Sequence, residues 1–215
     1  KVISLDDFYL PAQEMDFAMK GNPWNVPRGF PGSHSLDLLH QSLDVFLKTG
    51  ILRSPTFDKS LRDGKGDRSG WCELKSKILI LEGWFVGCEP VSDLNNIDSL
   101  SEDKFNLSLS QDEKDYRSLI QESLIKYSKI WKKFDKIWHL KSSHFNNTIL
   151  WKTQQEEEMI KIRGSGLKGN NLTDFIRMIQ SSIPQQSLSF INADTTVQIN
   201  QHRRIDKLLT TNYHF

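Results

Sequence analysis

The stretch SLDDFYL, residues 4–10, sets two adjacent aspartates at the end of a short apolar run and follows them at once with two aromatics. A second run, KILILEGWFVG at 77–87, ends in one carboxylate, Glu82, before a glycine. KVISL (1–5) and KILILEG (77–83) both read as strands. The second is apolar without alternation, the pattern of a parallel strand covered on both faces. Carboxylates that emerge from buried strand ends must be solvated, paired or bound to a metal, because leaving them bare inside costs several kcal/mol.

Working outward, residues 11–35 are rich in Pro and Gly and read as a long ordered loop. SLDLLHQSLDVFLKTG carries apolar residues at 36, 39, 43, 46 and 47, which is helical spacing, with Ser35 as N-cap and Gly50 as stop. SPTFDKS (54–60) is a brief extended piece, and 61–70 a polar, turn-rich loop. Residues 92–113 read as a polar surface connection. From 116 the pattern is helical: Ile120, Leu124, Tyr127, Trp131 and Phe134 step by 4, 3, 4 and 3. KIWHLK (136–141) reads as a strand, 146–163 as a helix, and NLTDFIRMIQSSI as a further helix with Thr173 as N-cap. DTTVQIN (194–200) reads as the last strand. Strands alternating with helices predict an α/β fold with a mostly parallel sheet flanked by helices. In such sheets ligands bind at the carboxyl ends of the strands, where Asp6, Asp7 and Glu82 fall.

Composition narrows the classes. The 215 residues are 37% hydrophobic and 26% charged, with a net charge of +1, as in a soluble globular chain of one sizeable domain or, alternatively, two small ones. Nothing in that balance points to nucleic acid or an anionic membrane. No apolar run approaches the ~18 residues of a membrane helix, and no signal peptide is visible. Two cysteines in a chain of this length, not arranged as CxxC, imply a reducing compartment, which places the expectation in the cytoplasm. Nucleic-acid binding through YSKIWKKFDKIWHLK (127–141) is disfavoured, because its aromatics fall on one helical stripe with the lysines opposite, as in a core-facing helix. QQEEEM reads as a solvated helix face rather than a metal cluster. Nothing in the pattern fixes an oligomeric state.

Two strand ends carrying Asp/Asp and Glu suit Mg²⁺, a hard cation that keeps phosphates and waters in its shell. One of the aspartates can instead act as base toward a hydroxyl. The alternative is that these carboxylates simply cap helices at the sheet edge.

SLDDFYL, RGFPGSHSLDLL, PTFDKS followed by GKGDR, and LILEGWFVG occur in this order and spacing. Together they resemble the D-glycerate 3-kinase family, similar in turn to the P-loop kinases that include phosphoribulokinase, uridine kinase and pantothenate kinase. The likeness is strongest over residues 3–88. It implies a P-loop NTPase-like kinase fold with a helical lid at about 142–165, and transfer of the γ-phosphoryl of ATP to a hydroxyl of D-glycerate, giving 3-phosphoglycerate. Asp6 or Asp7 would serve as base or Mg²⁺ contact, with Asp6 favoured, and Glu82 would help to hold Mg²⁺. RGFPGSHSLD would occupy the acceptor side. Arg28 and His34 would then contact a small anionic acceptor, a guanidinium suiting a carboxylate bidentately. For His34 the alternative is an ordinary helix-entry residue. Asp58, Lys59 and Arg68 would reach the same mouth, or else belong to a solvated loop.

In ILWKTQQEEEM, Lys152 stands where the family pattern has Arg. Lysine neutralises a phosphate but lacks the bidentate fork. Arg163 is the other candidate lid cation, and exposed helical charges are the alternative for both. The phosphate cradle GxxxxGK[ST] does not occur: DGKGDR at 63–68 has no Ser/Thr after its Lys. The expectation is a chain truncated at its N-terminus, one kinase-like domain over 1–215, binding ATP weakly and catalysing poorly as it stands. A non-catalytic nucleotide- or partner-binding module, or a kinase for another small hydroxylated acceptor, is the competing reading.

Overall fold

The structure, a computed structural model, describes residues 1–94 and 107–210. β1 (Val2–Ser4) runs into a 3-10 turn at Leu5–Phe8, α1 (Ala12–Ala18) and α2 (Leu36–Thr49). Then come β2 (Ile51–Asp58), β3 (Asp67–Lys75), β4 (Ile80–Glu82), α3 (Gln111–Trp131) and β5 (Trp138–Ser142). The described part continues with α4 (Asn147–Arg163), α5 (Gly169–Ser181), α6 (Gln185–Ser189), β6 (Thr195–Ile199) and β7 (Ile205–Thr210).

The α/β reading holds. β1 pairs parallel with β4, in the register Val2–Ile80, Ile3–Leu81 and Ser4–Glu82. β5 pairs parallel with β6. The antiparallel pairings are a hairpin of β2 with β3 and an edge strand, β7, on β6. The main core gathers Ile3, Leu5 and Phe8 from the first strand and turn, Leu39 and Leu43 from α2, and Ile120, Leu124, Tyr127 and Trp131 from α3, with Phe85 and Met178 between them. The 4, 3, 4 stepping of α3 is thus the stripe that it buries. A capping box starts this helix: Glu113 N donates to Ser110 Oγ at 3.2 Å, and Ser110 N donates to Glu113 Oε2 at 2.9 Å. Gly50 ends α2 at φ +71°, a left-handed cap that glycine adopts without penalty.

Several expectations need correction. Residues 11–35 are not loop throughout, since Ala12–Ala18 is helical. Its first N–H, that of Ala12, donates to Asp67 Oδ1 at 3.0 Å, so a hairpin carboxylate supplies the cap. The polar stretch 61–70 contributes Asp67–Gly70 to β3. α3 begins at Gln111, before residue 116, and residues 95–106 of the expected surface connection lie outside the described part. Thr173 is not an N-cap; it lies inside α5, its hydroxyl donating back to Gly169 O. β6 is not the last strand. Nor is β4 covered on both faces: Leu81 is buried, but Ile80 and Glu82 are exposed.

Candidate active site

The turn after β1 brings the strand-end carboxylates together. Asp7 forms a capping box with Ser4, whose N–H donates to Asp7 Oδ2 at 3.3 Å. Glu82 arrives beside Ser4 through the β1–β4 register. Gly83 makes this approach feasible: a Cβ there would lie 3.0 Å from Leu5 Cβ and 2.9 Å from Val86 Cγ2. The glycine that follows Glu82 is therefore a packing requirement of the strand ends. Burial raises the pKa of Asp7, and the neighbouring charges of Asp6 and Glu82 push it the same way.

Asp6 is held differently. Lys59 Nζ, from the end of the hairpin strand β2, lies 2.7 Å from Asp6 Oδ2. Burial opposes the charge of Asp6, but the Lys59 ammonium and a hydrogen bond from the Tyr9 side chain outweigh it, and its pKa falls below the ordinary value. Tyr9 is buried and stacks on His34, with ring centroids 4.5 Å apart and planes 20° from parallel. Its backbone is fixed as well: Arg68 Nε donates to Tyr9 O at 3.1 Å, while Arg68 Nη2 donates to Ser35 Oγ at 2.7 Å. Arg68 ties the hairpin to the entry of α2 instead of offering a free guanidinium to a ligand.

His34 sits at the centre of this aromatic cage, 5% exposed, with Phe85 and Tyr127 edge-on to it. Its Nδ1 is 2.7 Å from the Tyr127 hydroxyl, and its Nε2 is buried with no hydrogen-bond partner. Burial drives its pKa down to about 3, so the ring is neutral at physiological pH. It is thus no ordinary helix-entry residue. Ser35 makes no side-chain capping bond either, because its oxygen receives Arg68.

Arg28 is buried. Its Nη1 donates to Gly64 O at 2.7 Å and Lys65 O at 2.6 Å in the hairpin tip, and its guanidinium lies 5.7 Å from the centroid of Phe57. Burial lowers its pKa, with Asp6 and Glu156 pulling the other way. Asp58 turns to its own loop, accepting from Ser60 N at 2.8 Å and Ser60 Oγ at 2.6 Å.

Helix α4 reaches this group through Lys152, which is not a solvated helical charge. Its ammonium lies 2.5 Å from Glu156 Oε1 and 4.6 Å from the centroid of Phe175. Burial lowers its pKa against the pull of Glu156, and the charges of Lys59 and Arg28 lower it further. QQEEEM is solvated except for Glu156, which is 3% exposed and accepts from Leu167 N at 2.8 Å. The side chain of Arg163 lies outside the described part of the structure. Sequence reading missed Tyr9, Glu156 and Tyr127 as members of the site. The i, i+4 spacing of Lys152 and Glu156 was a signal for the second of these; the last looks like core, and is core.

The assembled group has one carboxylate held ionised by Lys59 and Tyr9 (Asp6), one neutral imidazole, and three cations, of which Lys59 and Lys152 are paired with acids. Arg28 is the one of the three whose guanidinium bonds backbone carbonyls, with the charges of Asp6 and Glu156 acting on it. Asp7 and Glu82 lie at its edge as the mutually repelling pair that a divalent cation relieves. Among the described residues no group of three or more His, Cys, Asp or Glu is arranged to hold a metal alone. Two carboxylates nevertheless fit Mg²⁺, whose remaining ligands are commonly phosphate and water.

No family model matches the chain. The uncharacterized kinase mug58 of Schizosaccharomyces pombe is 28% identical over 216 residues, spanning 93% of this chain and 73% of that protein. A chloroplastic D-glycerate 3-kinase of Arabidopsis thaliana is 29% identical over 187 residues, 81% of this chain but 38% of the plant protein. Among solved structures, D-glycerate 3-kinase from Cryptococcus neoformans var. grubii superposes with a TM-score of 0.82 at 25% identity, covering 98% of this chain and 79% of that one.

Proposed function

We propose that this chain, a member of the D-glycerate 3-kinase-like family of P-loop kinases, forms the acceptor side of an ATP-dependent kinase whose acceptor is D-glycerate and whose product is 3-phosphoglycerate. The observation that carries this reading is the placement of Asp6. Its carboxylate is kept ionised by Lys59 and Tyr9 beside a further cation, Arg28, whose guanidinium bonds two backbone carbonyls.

Phosphoryl transfer asks for positioning and charge neutralisation more than for covalent help. In this reading Arg28 takes the acceptor's carboxylate. Asp6 accepts the proton of the acceptor hydroxyl as its oxygen bonds to the γ-phosphorus and the bond to ADP breaks. A carboxylate of lowered pKa is a weak base, which suits a loose transition state in which the proton leaves late. Lys152 and the α4 face that carries it act as the lid, bringing positive charge toward the transferred group and excluding water. Because Asp6 Oδ2 already faces an ammonium, we assign Mg²⁺ to Glu82 and Asp7, and leave Asp6 as the base. Mg²⁺, when bound, supplies charge neutralisation to the phosphates.

The test is ATP consumption by the full-length gene product with D-glycerate, with L-glycerate as control. Turnover specific for the D-isomer is expected, and Asp6→Asn should lower kcat by about 10²–10⁴-fold with the fold intact by circular dichroism. An Asp6→Asn enzyme that turns over like the wild type removes Asp6 from the chemistry. ATP binding without transfer to glycerate sinks the acceptor assignment.

A further inference from the structure

Tyr127 lies 93 residues downstream of His34, on a helix that the sequence explains completely as a core stripe. Its hydroxyl, however, has hydrogen-bonding duties that fix a proton. Gly32 N–H donates to it at 3.1 Å, so the oxygen is an acceptor there. Its own O–H lies in a fully buried side chain and must find an acceptor of its own. His34 Nδ1, at 2.7 Å, stands within hydrogen-bond distance to be that acceptor. Ser33 Oγ, 3.4 Å from the same nitrogen, directs its proton to Phe30 O at 2.7 Å and does not compete. With Nδ1 accepting, a neutral ring carries its hydrogen on Nε2. That is the buried atom without a partner. An N–H in such a position is unfavourable until something accepts from it.

We propose that Tyr127 is a positioning residue: it donates to His34 Nδ1, holds the ring as the Nε2–H tautomer, and so presents Nε2–H as a donor to the hydroxyl oxygen of the acceptor. The inference rests on the kinase reading above only in its last clause. The partnership selects an alcohol. Asp6, whose charge acts on His34, takes a proton, and His34 gives one, so a group that both donates and accepts satisfies the two together. A carboxylate oxygen in the same place would face Asp6 with like charge. The acceptor's carboxylate and its reacting hydroxyl are thereby sorted to different partners, Arg28 and the Asp6–His34 pair.

The experiment begins with no ligand. A long-range proton–nitrogen spectrum of the ¹⁵N-labelled chain identifies the protonated nitrogen of His34 from its couplings to the two carbon-bound ring hydrogens. The expected result is Nε2–H alone in the wild type and loss of that single tautomer in Tyr127→Phe. An Nδ1–H wild type, or an unchanged tautomer in Tyr127→Phe, overturns the assignment, and the wild-type spectrum decides even where the variant does not fold. In the full-length gene product, Tyr127→Phe and His34→Leu should raise KM for D-glycerate by about tenfold and leave KM for ATP unchanged. His34→Gln, whose amide offers a donor in the place of Nε2, should recover most of the loss. Equal changes in both KM values, as from general loosening, overturn the proposal. A wild type that transfers nothing to glycerate while showing the Nε2–H tautomer sinks the glycerate reading instead, and leaves Tyr127 as the residue that sets the ring.

Discussion

Glu113 shows how a buried carboxylate far from the strand ends is put to structural use. It is 5% exposed and collects Trp24 Nε1 at 3.0 Å, Ser181 Oγ at 3.0 Å, and Arg177 through Nε at 2.7 Å and Nη2 at 2.5 Å. Burial opposes its charge, but Arg177 and the donors from Ser110 and Ser181 prevail and take its pKa from 4.5 down to about 2. A folded pKa below the unfolded one stabilises the protein above the unfolded value, and that stability is lost as pH falls from about 4.5 to about 2. At about 1.4 kcal/mol per unit, the effect is on the order of 3 kcal/mol. Melts of the wild type should therefore drop steeply across this window. Glu113→Gln should melt lower at pH 7 and lose less on acidification, and parallel pH profiles for the two would refute the account. At this scale the sequence shows charge but not its company. Asp6 and Asp7 stood out because two carboxylates ended an apolar run. The hydroxyl of Tyr127 could not stand out, because the periodicity that marks its helix records only that the ring is buried.

The hairpin of β2 and β3 is the element on which the mouth depends most. It delivers Lys59 to Asp6, Arg68 to Tyr9, Asp67 to the start of α1, and two carbonyls to Arg28. Its tip folds back over Phe57 only because Gly66 has no side chain: at φ +79° a Cβ would stand 2.3 Å from the ring. Gly66→Ala combines left-handed strain with that collision. It should cost about 1–3 kcal/mol in denaturant unfolding and raise KM for the anionic acceptor several-fold as the tip carbonyls withdraw from Arg28. A stable variant with unchanged KM would show that the tip does not set the guanidinium. Sequence reading caught one half of this element and mistook the other for loop. β3 has no buried face to generate an alternating pattern, and its polar start and Gly70 read as turn chemistry. α1 escaped for a related reason: seven helical residues between Pro11 and Gly21 are too few to show a period.

Across the whole molecule, burial is uneven. The main core unites the first strand and turn, α2, α3 and the Phe85 segment, whereas Trp138, Leu140, Leu208 and Leu209 of the β5–β6–β7 sheet are 46–68% exposed. Protection of backbone amides follows the depth of such packing. Amides of β6 and β7 should exchange well before those of Ile120–Trp131 in α3, as read by hydrogen–deuterium exchange with mass spectrometry. Uniform protection would mean that the C-terminal sheet unfolds only with the core. The same unevenness explains what was legible. Elements that bury a stripe, such as α2 and α3, declared themselves, whereas β7, exposed along its whole length, left no hydrophobic pattern.

The grip of the hairpin tip on Arg28 bears on how a kinase built as proposed would change its diet. Two carbonyls in a turn, with the Phe57 ring beside them, aim the guanidinium. Turns accept insertions and deletions far more readily than cores do. If Arg28 takes the acceptor as proposed, acceptor preference can drift through edits at residues 61–66 while the side chains that meet the ligand stay the same. A library built on turn length alone would explore substrate range without touching the chemistry.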